Sequence, residues 1–127
     1  YATKTKISDA KVNPGKSGQI FYINMDRIEK LKEFLEANPA DCFVRHAMAL
    51  EYIKLGNDEA ARGLFEEILN REPGYIGSYY HLAKLLERND KTEEAIRVYE
   101  KGMEEAKKAG DNHAFGELRG AYEELIF

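Results

Sequence analysis

Residue types able to do chemistry cluster at a few places in this 127-residue chain. Gly15-Lys16-Ser17 ends as a phosphate-binding loop ends. Such a loop needs another glycine five residues earlier, where Ala10 stands, and an apolar strand leading into it, so nucleotide binding is not expected. Cys42 and His46 are four apart, the spacing that sets two metal ligands on one face of a helix. A tetrahedral site needs a further ligand, and His81 and His113 fall at different phases of their own helices. No convergence and no metal are therefore expected, and Cys42 reads as a small apolar residue at a helix start. The acid pairs Glu66-Glu67, Glu93-Glu94 and Glu104-Glu105 hold the groups of acid–base catalysis. Their period is that of a solvent-facing stripe with bases at helical distance, such as Glu93 to Arg97. No serine, cysteine and histidine arrangement has the spacing of an activated nucleophile. The chain reads as non-catalytic and free of cofactors.

Nineteen basic against 23 acidic side chains give a net charge of −4. Residues 1–24 carry +3 and the remainder −7. An acidic body repels phosphate along the whole approach, which argues against a nucleic-acid partner. Cys42 is the single cysteine, so no disulfide framework exists, and a reducing, cytoplasmic setting is the default expectation. No apolar run is long enough to cross a membrane, and no secretion-signal pattern stands at the start. A chain opening on Tyr1 is compatible with a fragment or processed product.

These groups must be positioned by helices. Residues 1–24, rich in Lys, Thr, Ser and Gly around Pro14-Gly15, read as an extended or disordered arm, with a tag or linker fitting the composition equally well. Ile20-Phe21-Tyr22-Ile23 forms an apolar patch, and Asn24 or Asp26 would cap a helix carrying Ile28, Leu31, Phe34 and Leu35 on one stripe. Asn38-Pro39 stops it. Two helical hairpins follow, over about 41–55 with 58–71 and about 76–88 with 92–108, and a last helix spans about 112–126.

Between Pro39 and Lys107 the chain repeats at an offset of 34 residues. Met48, Ala49, Tyr52, Ala61 and Phe65 answer to Leu82, Ala83, Leu86, Ala95 and Tyr99, with Pro73 following Pro39 at the same distance. A period in the thirties signals stacked helical pairs. Met48-Ala49-x-x-Tyr52, Ala61-x-x-x-Phe65 and Pro73, then Tyr79-x-x-Leu82-Ala83-x-x-Leu86 and Ala95-x-x-x-Tyr99, resemble the tetratricopeptide repeat family, in its small bacterial form. The resemblance implies an all-α, right-handed array of helical hairpins: a half repeat over 25–38, repeats over 40–73 and 74–110, and a capping helix over 111–127. Lys107 stands where a third proline belongs, so the second hairpin should run a turn longer, to Gly110. Phe115, Leu118 and Tyr122 then resume the pattern at an offset of 36.

The same resemblance implies a protein-interaction scaffold whose first helices line a concave groove for a peptide or partner helix. Carried by repeat phase, the groove residues are Phe43, His46, Leu50, Ile53 and Lys54, then Gly77, Tyr80, Lys84, Glu87 and Arg88, then His113, Gly116, Gly120, Glu123 and Glu124. Phe43, Leu50, Ile53 and Tyr80 would make an apolar floor, and Lys54, Lys84 and Arg88 a basic margin. The alternative is a homo-oligomer, such as a homodimer, whose groove or first helix is covered by its own arm or a second copy. Family members that clamp the terminal carboxylate of chaperones use Lys and Asn where this chain has His46 and Leu50, His81, and His113 and Glu117. That clamp is not expected here. The half repeat leaves one side of the first helix bare, and Ile20–Ile23 are expected to cover it in their own chain or a neighbour.

Overall fold

A computed structural model describes residues 16–127, with side chains from residue 25 onward. Among the described residues there are six helices and no strand: α1 Lys16–Ala37, α2 Cys42–Lys54, α3 Asp58–Arg71, α4 Gly77–Arg88, α5 Thr92–Ala109 and α6 Asn112–Ile126. Each packs against its neighbours in sequence, and α4 also reaches α6. Short connections force this order, because a two- to five-residue link leaves the next helix nowhere to lie but alongside.

The helix boundaries follow local chemistry. The Asp41 carboxylate accepts from the Val44 N–H, Asn57 caps α3 through the Ala60 N–H, and Asp111 caps α6 through the Ala114 N–H, all within 3.0–3.1 Å. Gly110 closes α5 at φ 71°, a left-handed conformation that costs glycine nothing. As expected, α5 runs past the length of α3, 18 residues against 14.

The first helix departs from expectation. It begins at Lys16, so Asn24 and Asp26 lie inside it and do not mark its start. Pro14 precedes the helix, and Gly18 alone costs about 1 kcal/mol relative to alanine, too little to stop propagation through the eight residues that follow. The Ile20–Ile23 patch is part of the same rod and cannot double back over it; its side chains lie outside the described set, as does the glycine of Gly15-Lys16-Ser17. Within the stripe, Ile28 is buried against α2, Leu31 and Leu35 are half-buried, and Phe34 is exposed.

Two contiguous clusters form the core. Phe65, Ile68, Leu82, Leu85 and Leu86 join the first hairpin to the second, and Tyr79, Tyr99 and Leu118 join the second to α6. Ala49, Ala61, Ala83 and Ala95 are wholly inaccessible, as their repeat positions require. Gly102 belongs to the same contact. A Cβ there would lie 2.7 Å from Tyr79 Cβ and 3.1 Å from Leu118 Cδ1, so the glycine is what admits the tyrosine ring between α5 and α6.

At the position matching Tyr79 one repeat earlier stands Arg45, almost fully buried. Its Nη2 lies 3.2 Å from the partly exposed Glu67 carboxylate, while Nε and Nη1 have no hydrogen-bond partner. The buried cation is therefore incompletely compensated.

Two stability outcomes follow in urea unfolding. Gly102→Ala should lower stability by about 1–3 kcal/mol through overpacking, although Gly63→Ala, which meets nothing within 4 Å in mid-α3, should raise it by about 0.5–1 kcal/mol. A gain for both would show that the Tyr79 ring yields. Arg45→Met should be neutral or stabilising by up to about 2 kcal/mol, since the solvated Glu67 tolerates the loss; a destabilisation above about 2 kcal/mol would mean that the free guanidinium nitrogens are satisfied in solution.

Candidate functional site

The faces of α2, α4 and α6 expected to line the groove hold a compact ring cluster at the α2–α4 junction. The His46 ring packs 5.6 Å from Phe65, 5.7 Å from Tyr75 and 5.5 Å from His81, centroid to centroid. His81 in turn stacks on Phe65 at 6.1 Å and meets the Tyr80 edge at 5.8 Å. His46 Nδ1 and the fully buried Ser78 hydroxyl are 2.9 Å apart. The expectation that His81 would not converge with His46 is thus overturned. Facing helices must present opposite phases: His46 looks forward to α4, and His81, one residue beyond the 34-residue register, looks back to α2.

His113 stands apart, 85% exposed, with Glu117 3.5 Å away. Cys42 is buried, and that burial, reinforced by Glu72, pushes its thiol up to about 11. A neutral, buried thiol is neither nucleophile nor ready ligand. Among the described residues no group of three or more His, Cys, Asp or Glu is placed to hold a metal ion.

The expected basic margin is largely neutralised. Arg88 makes a two-pronged bond to Asp58 of α3, both contacts at 2.9 Å, with Asn89 adding a third at 2.8 Å. The Arg88 bond holds the Asp58 carboxyl below its usual range. Lys54 pairs with the buried Glu51 at 3.3 Å, where Arg27 of α1 also arrives. Lys84 lies 3.8 Å from Glu87 and 5.9 Å from the Tyr80 ring centre. Glu87 is itself taken from the groove, because it accepts the hydroxyl of buried Tyr99. Burial, then that carboxylate, drives the Tyr99 pKa far above the ordinary phenol value. The paired acids also serve structure: Glu94 reaches across to Arg62 at 2.5 Å, Glu66 joins the same guanidinium at 2.9 Å, and Glu105 gathers Lys101 and Lys108.

What remains open is a cleft of about 430 Å³ between α4 and α6. Ile76, Gly77, Tyr80 and His81 line one side. Asp111, Ala114, Glu117 and Leu118 line the other. Of the groove residues expected from the sequence, Gly77 and Tyr80 line this cleft. His46 joins the ring cluster beside it, Leu50 and Ile53 pack partly buried against the core, and Phe43 stands 71% exposed at the start of α2. Asp111 and Leu118 went unmarked because a cap and a core residue carry no binding signature of their own.

Comparison with known proteins agrees with the fold. A family model for the tetratricopeptide repeat matches residues 76–108. The solution structure of a tetratricopeptide repeat domain protein from Salinibacter ruber is 42% identical, with a TM-score of 0.67, covering 69% of this chain and 89% of that one. The chain belongs to the tetratricopeptide repeat family. The TPR2B domain of yeast Sti1, in its complex with pHsp70, has a TM-score of 0.73 over 97% of this chain and 96% of that one, at 13% identity, a likeness of fold alone. Mouse aspartyl/asparaginyl beta-hydroxylase is 25% identical over 85 residues, and the match spans 67% of this chain and only 12% of that protein. The tetratricopeptide repeat chain is accordingly a right-handed helical-hairpin array, of a kind that generally mediates protein–protein interactions. No helix among the described residues is long and apolar enough to cross a membrane.

The imidazole pair gives this tetratricopeptide repeat domain a pH dependence. Burial, then the neighbouring His81, lowers the pKa of His46; burial, then Arg88, lowers that of His81. Below about pH 6.5 the unfolded chain then binds more protons than the folded one, so stability falls as pH drops through that window. Thermal unfolding should show a lower Tm at pH 5.5 than at pH 7.5, with the difference much reduced in the His46→Gln, His81→Gln double variant. An unchanged difference would place its origin in other groups.

Proposed function

We propose that the chain is a non-catalytic interaction module that holds an extended peptide or a partner helix along the groove of α2, α4 and α6. The observation that carries this reading is the open cleft between α4 and α6, with the half-buried Ile76 and Tyr80 as its floor. A volume of about 430 Å³ lies in the range of side-chain and small-ligand pockets, and an apolar floor facing solvent gains free energy when a partner side chain covers it. Phe43 extends the apolar surface toward α2 as a bare aromatic of the kind that anchors interfaces.

The complex of the Sti1 domain with pHsp70 supports an array of this shape as a binding platform. A chaperone-tail carboxylate is not the ligand proposed here, because His46, Leu50, His81, His113 and Glu117 stand where the clamp of such family members has Lys, Asn and Arg. The mouse hydroxylase is matched over only 12% of its length, so its activity is not carried to this chain. Lys54, Lys84 and Arg88 act mainly within the fold, so selectivity rests on Tyr80, Phe43 and the α6 wall.

Light scattering at two concentrations, together with calorimetric titration of peptides selected from a random library, tests the reading. The expected outcome is a monomer whose peptide affinity falls about tenfold or more in Tyr80→Ala at unchanged Tm. A dimer that dissociates on Tyr80→Ala would replace the module with a homo-oligomer closed over its own groove.

A further inference from the structure

The cleft between α4 and α6 has a charge that its apolar floor does not predict. No lysine or arginine lines it, while Asp111 and Glu117 do. The nearby cations of the groove already hold carboxylates: Lys84 has Glu87, and Arg88 has Asp58. The α6 wall is less compensated. Arg119 is bound to Glu123 at 2.9 Å, and Glu117 faces His113, a partner that carries charge only when protonated. Asp111 Oδ1 accepts from the Ala114 N–H at 3.0 Å, and no cation pairs with that carboxylate among the described residues.

The backbone on both sides is bare. On the α4 side a Cβ on Gly77 would meet only His46 Cε1, at 3.9 Å, and on the α6 side the lining residue Ala114 carries no more than a methyl group. A ligand backbone can therefore approach closely. A side chain that enters must cover an apolar floor along its length and satisfy carboxylates at its end. Lysine and arginine do both, laying an aliphatic stem on Ile76, Tyr80 and Ala114 and presenting a cation at Glu117 and Asp111. We infer that this cleft takes a lysine or arginine side chain from an extended basic segment of a partner protein, an inference that rests on the groove reading above. An acidic segment meets repulsion from the same wall, and from the net charge of −7 on residues 25–127. That charge steers a basic segment toward the domain.

The test uses the full chain and twelve-residue random peptides displayed on phage. Selected peptides should be enriched in Lys or Arg, perturb the amide resonances of Gly77, Ala114 and Glu117, and lose about tenfold in affinity when the central cation becomes Gln. Glu117→Lys should weaken the selected peptide and restore binding of its cation→Glu counterpart, a charge swap that a merely structural Glu117 would not produce. Peptides that perturb those amides without a required cation, and that ignore Glu117→Lys, overturn this inference and leave the groove reading intact. Peptides that perturb only α3 and α5 overturn both.

Discussion

Close approach of helix backbones at small residues is the constraint on which the rest of this molecule depends. Ala49 and Ala61 within the first hairpin, and Ala83 and Ala95 within the second, are wholly buried because each lies where two helices touch. A larger side chain at any of them would push the helices apart and undo the contacts of Phe65, Leu86 and Tyr99 around it. Gly102 carries the same logic one step further, since Tyr79 leaves no room even for a methyl group. The stack is built from close contacts repeated along the chain, and the groove is the surface they leave on one side.

Charge is spent differently on the two faces of the stack. Between successive hairpins it acts as a fastener: Arg62 joins Glu94 and Arg88 joins Asp58, each linking helices about thirty residues apart in sequence. Such pairs are partly solvated, so each contributes modestly to stability, but they fix the rotation of one hairpin on the next. On the α6 wall the acids serve no such link between hairpins. A cleft with an apolar floor and an acidic rim is the result, and its selectivity comes from which cations the fold has already used.

The two histidines illustrate how the stack turns ordinary residues into a coupled group. Neither His46 nor His81 is unusual on its own helix. Packed edge to face at 5.5 Å, with Ser78, Tyr75 and Phe65 around them, both lose water, and His81 further disfavours protonation of His46 as Arg88 does that of His81. The junction between α2 and α4 therefore responds to pH as well as to packing.

Much of the architecture was legible in the sequence, because helix formation and repeat stacking are read from short-range signals: the 34-residue offset, alanines in phase, Asp41 and Asp111 before apolar periods, and Gly110 after one. The start of α1 was not, since whether a helix crosses Gly18 is decided by a balance of about 1 kcal/mol that composition does not reveal. Of the candidate groove, Tyr80 and Gly77 line the cleft, for they lie in repeat phase. Only the tertiary structure withdrew Arg88 and Glu87 into the fold, brought His81 against His46, and set Asp111 and Glu117 beside Tyr80. Side-chain partners depend on the rotation and spacing of helices that meet across a junction. That geometry is a property of packed pairs, and no single helix encodes it.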